Sequence, residues 1–335
     1  MARHPIKVEE EGAGERLDRF LAQRWADRSR SYWQRQIERG QVRVNGRAEK
    51  AGYILKAGQV VEADLEDAEE PTLVAPQGEP RALPPWVCYM DAAIVVIDKP
   101  RHLVVHPSAG HWHDSVVHQL LPWLPYEAGE WRPGVVHRLD KDTSGLMVLA
   151  RSRVARERLS AAIQARAVTR QYVAVVRGNF HPPDGLIEAP LGRDPVHRLK
   201  MAVVYGGREA RTHYRTLARW AGASLVECTL DTGRTHQIRV HAASLGHPVI
   251  GDPLYGGRLE GFMEGQLLHA GRLAFHHPIT GEPMAFVAPP PEDWRGLSAL
   301  GRAEVLASWV YQPGVDPGTT QWLSELGIDA CERNS

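Results

Sequence analysis

Residues with the potential for chemistry concentrate in three short stretches. In "GVVHRLDKDTSGLMVLA" (134–150), Asp140 stands between Arg138 and Lys141, just ahead of an apolar run. Opposite charge on both sides favours the anionic carboxylate, and a polar loop leading into a buried strand holds it on a rigid scaffold, as a nucleophile requires. A plainer reading fits the same residues. Asp142, Thr143 and Ser144 are turn and cap types, so Asp140 also reads as a solvated turn acid. In "LDTGRTHQIRVHAASLGHPVIGDPLYGG", Arg234 follows a Thr-Gly turn and precedes a helix predicted to start at an N-cap on Thr235 and to stop at Gly246. A guanidinium beside the positive end of a helix dipole suits a carboxylate or a phosphate, although an isolated arginine is as readily a surface residue. In "RQYVAVV", Tyr172 sits in a β-branched run, where an aromatic ring either faces the core or offers a stacking face to a base.

Other motifs are missing. His106, His111, His113 and His118 in "HPSAGHWHDSVVH" raise the question of a metal hydrolase, but no H-E-x-x-H pattern accompanies them. The chain has neither a G-x-x-x-x-G-K-[ST] loop nor a Rossmann glycine run, so no nucleotide cofactor is expected. Metal and cofactor are both expected to be absent.

The elements that position these residues are mostly strands. "AIVVID", "GLMVLA", "RQYVAVVRG", "KMAVVYGG" and "SLVECTLDTG" are β-branched runs bounded by turn residues. Between them, Ala155, Leu159, Ala162 and Ile163 mark one helical face, and Val116, Val117, Leu120 and Leu121 mark another. Many strands with few helices predict an α+β fold: a mixed, largely antiparallel sheet with flanking helices. Upstream, Leu17, Phe20, Leu21 and Trp25 recur at helical spacing. Asp27 and Ser29 are candidate caps of a second helix carrying Tyr32, Trp33 and Ile37, which Gly40 stops. "QVRVNG" then alternates into an Asn-Gly turn. These features predict a small N-terminal α/β unit.

Forty basic and forty acidic residues cancel over the 335-residue chain, but their distribution is uneven. Residues 14–62 hold eleven Lys/Arg against six acids, whereas residues 63–80 hold six acids and no base. The basic N-terminal unit suits a polyanion, and the acidic, proline-rich stretch after it reads as a stiff linker. Three dispersed cysteines form no C-x-x-C pair and no disulfide framework, which favours a reducing, cytoplasmic compartment. No run of about 18 apolar residues suggests a membrane span.

Longer motifs carry a resemblance. "RLDRFLA", "SRSYWQRQIERGQVRVNG" and "LKAGQVVEADL" resemble the small RNA-binding domain of the ribosomal protein S-four type, in which the second helix faces RNA; Arg28, Arg30, Arg35 and Arg39 would do so here. "HRLDKDTSGLMVLA" resembles the signature of the RNA pseudouridine synthases, in the branch that includes large-ribosomal-subunit and some transfer-RNA enzymes. The similarity continues through "VVIDKPRHLVVHP", "LGRDPVHRLKMAVVYGGREARTHYRTL", "TGRTHQIRVH", "GDPLYGG" and "LHAGRLAFHHPITGE", roughly residues 86–290. It implies four segments: an RNA-binding domain at 1–67, a linker at 68–85, a catalytic domain at 86–292 and an extension of unknown role at 293–335.

The resemblance also implies roles. Asp140 becomes the essential aspartate that lets uracil detach, rotate and rejoin the ribose through carbon 5. Tyr172 packs against the target base, and Arg234 pairs with the aspartate. Arg138, with His137 beside it, holds the flipped nucleotide's place in the RNA, and Ile238 is an apolar residue near the pocket. The substrate implied is RNA, large-subunit ribosomal RNA ahead of transfer RNA, acted on by a monomer. A docking protein without catalysis is the alternative. Two departures stand out: Arg101-His102 replaces an Ala-Gly turn frequent in relatives, and Arg170 replaces a frequent lysine, keeping the charge but changing the donor geometry.

Overall fold

The computed structural model describes residues 3–25, 30–64, 82–107, 111, 114–125, 132–197, 199–220, 222–256, 265–291 and 294. The chain divides into two compact units, with the described residues 3–64 in one and 82–294 in the other. Asp27, Arg28, Ser29 and His113, most of the expected linker and all but Trp294 of the expected extension lie outside the described residues.

In the first unit the strands β1 (Arg3–Lys7), β2 (Val42–Val44), β3 (Arg47–Ala48) and β4 (Val60–Asp64) form a sheet in the order β1-β4-β2-β3. The helices α1 (Leu17–Arg24) and α2 (Arg30–Glu38) belong to the same unit. Leu17 and Leu21 of α1 share a core with Tyr32, Trp33 and Ile37 of α2 and with Val42, Val44 and Val61 of the sheet. Burying each such Leu, Ile or Val contributes about 1.5–3 kcal/mol before the entropy cost of ordering it. Asn45 (φ 49°) and Gly46 (φ 73°) close the β2–β3 hairpin with the pair of positive φ angles that a two-residue turn of this hand requires. Strand β1 was not anticipated; it pairs along its whole length with β4.

The second unit is built on one sheet. It contains β5 (Val87–Met90), β6 (Ile94–Lys99), β7 (Ser144–Ala150), β8 (Thr169–Arg177), β9 (Asp184–Glu188), β12 (Arg211–Trp220), β13 (Ala223–Leu230), β14 (Leu268–His276) and β15 (Pro283–Val287). Their order is β5-β6-β7-β14-β8-β13-β12-β9, with β15 also on β14. A separate ribbon pairs β10 (Leu191–Arg193) with β11 (Met201–Val203). Only the β7–β14 pairing is parallel among the described strands. The fold is therefore α+β with a mixed, largely antiparallel sheet.

Helices α3 (Val116–Leu120), α4 (Arg153–Gln164) and α5 (Gln237–Ser244) accompany the sheet. In α4 the Ser152 hydroxyl caps the start by accepting the Ala155 N–H at 3.1 Å, while Ala155 and Leu159 face a core that includes Leu146 and Val148 of β7. Every residue of β7 is buried, as its unbroken apolar run requires between two neighbouring strands. Trp294 is 1% exposed and packs with Val173, Val175 and Leu225, so the core continues two residues past the expected boundary at 292. Among the described residues, no helix is long and apolar enough to cross a membrane.

Candidate active site

The loop carrying Asp140 is fixed from below by a buried cation. Lys99, at the end of β6, is fully buried, and its ammonium donates to the carbonyls of Pro100 and Leu103 at 2.8 Å and of Lys141 at 3.0 Å. Burial pushes this lysine down to about 7 against the opposing pull of the Asp142 and Asp140 charges. Three further contacts hold the loop: the Thr143 N–H donates to the Asp140 carbonyl, Gln266 Nε2 donates to Thr143 Oγ1 at 3.0 Å, and Asp142 Oδ1 meets His102 Nδ1 at 2.9 Å. His102 adopts a left-handed backbone (φ 63°), and its side-chain contact with Asp142 helps to hold it there.

The carboxylate of Asp140 is anchored by Arg239, one of whose terminal nitrogens donates to Oδ2 at 2.8 Å. Arg239 is 4% exposed and directs its other face to the fully buried Asp252, with Nε to Oδ2 at 2.6 Å and Nη2 to Oδ1 at 2.9 Å. The Leu254 and Tyr255 N–H groups also donate to Asp252 Oδ1. Burial alone would weaken the hold of Arg239 on its proton, but the hydrogen bonds to Asp252 and the charges of Asp140 and Asp252 reverse the effect and raise its pKa. The pairing expected from Arg234 is therefore made by Arg239, five residues on.

The helix itself explains the difference. Its N-cap is His236, in left-handed conformation (φ 57°), and not Thr235. Gln237 Oε1 accepts the Arg234 N–H at 3.0 Å and the Thr232 hydroxyl at 2.8 Å, locking the Thr-Gly turn. Arg234 is thereby turned outward, and its Nε donates to the Glu209 carbonyl at 2.8 Å. Sequence reasoning passed over Arg239. An arginine flanked by Ile238 and Val240 in a short apolar helix is a signal, because such a charge must be paired when buried.

A cavity of about 520 Å³ opens above Asp140. Tyr172, Leu230, Ile238 and Leu268 form its apolar wall, and Arg138, Arg166, Arg170, Arg208 and Arg234 line it with positive charge. Asp140, Tyr172, Arg234, Arg138, His137 and Ile238 thus all border one cavity. Burial holds the Tyr172 phenol above its usual range, with Arg170 opposing and the Asp140 charge adding, so it remains protonated. His137 Nε2 accepts the Val148 N–H at 3.2 Å, and burial, reinforced by Arg170, pushes the ring down to about 3. Arg138 is exposed and makes no hydrogen bond or ion pair with a described residue. His236 Nε2 lies 4.0 Å from Asp140 Oδ1, while its Nδ1 meets the Tyr255 hydroxyl at 2.9 Å.

The N-terminal arginines fare differently. Arg30 Nε and Nη2 each donate to Asp18 Oδ2 at 3.0 Å, clamping α2 to α1 together with Arg16 and Gln34. Arg30 is thus a structural clamp, although half of its side chain is exposed. Burial would raise Asp18, but these donors hold it at about 2. Arg39 is exposed, and the Arg35 side chain lies outside what is described. Among the described residues, no three His, Cys, Asp or Glu side chains are grouped to hold a metal ion.

Fold and cavity together set an anchored carboxylate, Asp140, at the floor of a cationic cleft on a mixed sheet, with Asp231 as a second acid in the lining. The model of the RNA pseudouridylate synthase family matches residues 93–244, and that of the S4 domain matches residues 15–61. The chain is 45% identical over 295 residues to the uncharacterized RNA pseudouridine synthase YlyB of Bacillus subtilis, covering 87% of this chain and 96% of the relative. It is 40% identical to the ribosomal large subunit pseudouridine synthase D of Neisseria meningitidis serogroup A, covering 97% and 87%. The solved human RNA pseudouridylate synthase domain containing 1 shares the fold, with a TM-score of 0.53 at 24% identity over 71% of this chain and 100% of that one. This chain belongs to the RNA pseudouridine synthase family and is an RNA-modifying isomerase with an N-terminal S4 domain.

Proposed function

We propose that the protein converts specific uridines of large-subunit ribosomal RNA to pseudouridine, with Asp140 as the reacting carboxylate. The observation that carries this reading is the Asp252–Arg239–Asp140 chain beneath an apolar wall containing Tyr172. With Oδ2 occupied by Arg239, Oδ1 is the oxygen left to face the ribose of a bound uridine. A uridine reaches that depth only when flipped out of its helix or loop, at a cost of a few kcal/mol that phosphate contacts offset. Tyr172 then supplies a face for the base, and Ile238 and Leu268 exclude water. Arg138, free at the cleft mouth, occupies the place the nucleotide leaves.

Breaking the carbon–nitrogen glycosidic bond and forming the carbon–carbon bond involves no net redox change and no external group. The reaction therefore needs positioning and a carboxylate, and no cofactor enters this account. Residues 1–67 dock RNA and residues 86–292 perform the reaction, in a monomer acting in the cytoplasm. The names of relatives such as the Neisseria enzyme support the large ribosomal subunit as the source of substrate. Mapping pseudouridines in total RNA from cells with and without the gene tests this. Loss of sites confined to large-subunit ribosomal RNA is expected. Loss confined to transfer RNA, or no loss, would overturn the assignment.

A further inference from the structure

The cationic side of the cleft exceeds what anchoring Asp140 uses. Arg170, on β8, is 6% exposed and lines the cavity, yet its guanidinium makes no hydrogen bond or ion pair with a described residue, and its Nε is buried without a partner. A buried, unpaired charge is unfavourable unless a ligand completes it. The backbone leaves it open to one. A Cβ at Gly233 would come within 2.7 Å of Arg170 Nη1, so the glycine keeps that face of the guanidinium uncovered.

Three more arginines converge on the same cavity, namely Arg166, Arg208 and Arg234. Two acids lie nearby: Glu209, whose Oε1 accepts from Arg166 at 2.7 Å and whose backbone carbonyl accepts from Arg234, and Asp231, which lines the cavity but pairs with Arg211 and His213. The Arg208 guanidinium has no partner among the described residues. Its backbone is nonetheless fixed, exchanging hydrogen bonds with Leu191 at 2.8 and 2.9 Å. Burial lowers the pKa of Arg234, and the neighbouring charges of Arg208 and Arg166 lower it further, as expected where cations gather without enough anions.

We propose that Arg170, Arg208 and Arg234, with Arg166 at the rim, form a subsite for a backbone phosphodiester of the RNA strand. The inference rests on the reading of the cleft as a uridine pocket. Arg170 and Tyr172 are two residues apart on one strand, so their side chains leave the same face roughly 6–7 Å apart, about the reach from a base to its own phosphate. The guanidinium fork matches phosphate oxygens in a bidentate manner, and a contact of this kind fixes register without reading sequence. Arg234, expected to pair with the aspartate, thus acts on the substrate's charge.

The test is the salt dependence of binding of a fluorescein-labelled oligouridylate to the full-length protein. Arg208→Met and Arg234→Met are each expected to make the slope of log affinity against log salt shallower by about 0.7, the value for one single-strand phosphate contact. Affinity at low salt should fall about 5- to 10-fold, and Arg208→Lys should restore the slope but only part of the affinity. Arg170→Met should behave likewise; if it does not fold, the two surface-accessible variants decide. Slopes equal to wild type in both would overturn the subsite. So would a loss seen with oligouridylate and absent with oligocytidylate, which would indicate base reading. If wild-type protein modified no cellular uridine, the functional reading would fail while the salt slopes still judged the subsite.

Discussion

At the scale of single residues, the arginine that holds Asp140 is decisive. Arg239 connects a partly exposed carboxylate to a fully buried one, so Arg239→Met should act in two ways. Leaving Asp252 buried and unpaired should destabilise the fold by about 3–5 kcal/mol, read from urea unfolding. Releasing Asp140 should lower turnover at saturating RNA about 100-fold, as expected for a misplaced reacting group. If Arg234→Met lost more turnover than Arg239→Met, the pairing would be wrong. That Asp140 and Tyr172 border one cavity was legible only through the longer motifs, since the local residues left each open to a plainer reading as turn acid or core aromatic. Arg239 was not, since residues 237–242 of α5 are all buried and helical periodicity offers no stripe on which one position stands out.

At the scale of elements, the site depends on how β7 meets β14. Gly145 (φ 110°) lies opposite Ala270 in the parallel pairing, and a Cβ there would come within 2.3 Å of the Ala270 carbonyl oxygen. No side chain fits this approach of two backbones. Gly145→Ala should cost more than about 3 kcal/mol of stability from strain and displacement together, and activity should fall with it. An unchanged unfolding midpoint would contradict the strand register. β7 and β8 were legible as short runs rich in apolar residues and bounded by turn residues. β14 was not, because "LHAGRLAFH" mixes His269, Gly271 and Arg272 into a strand whose polar groups are satisfied only by distant partners. One such partner is Ser144, whose hydroxyl meets His269 Nδ1 at 2.9 Å across 125 positions of chain. The helix start at His236 was equally hidden, since it depends on the Gln237 side chain reaching back to Arg234.

At the scale of the molecule, stability should depend on acid through the buried histidines. His269 is 1% exposed, its Nε2 donates to the Ala288 carbonyl at 3.0 Å, and burial lowers it to about 4. An unfolded histidine titrates near 6.5, so between about 6.5 and 4 the unfolded chain binds a proton that the folded one refuses. Stability is then full above about 6.5 and declines as pH falls toward 4, by at most about 1.4 kcal/mol per pH unit for this group. His137, pushed down by burial to about 3, acts in the same direction. Urea midpoints of His269→Gln should fall less steeply over that window than those of wild type; parallel curves would contradict the assignment. The α+β class and the basic N-terminal unit were legible from composition and turn chemistry. The role of Arg30 was not, since its clamp on Asp18 joins two helices across twelve positions.

The central claim is that Asp140 reacts and does not merely fold or bind. The direct measurement compares wild type and Asp140→Asn for pseudouridine formed in large-subunit ribosomal RNA and for affinity toward the same RNA. The asparagine is nearly isosteric and remains within reach of Arg239. Complete loss of pseudouridine with affinity largely retained is predicted. Pseudouridine formed at the wild-type rate would contradict the account.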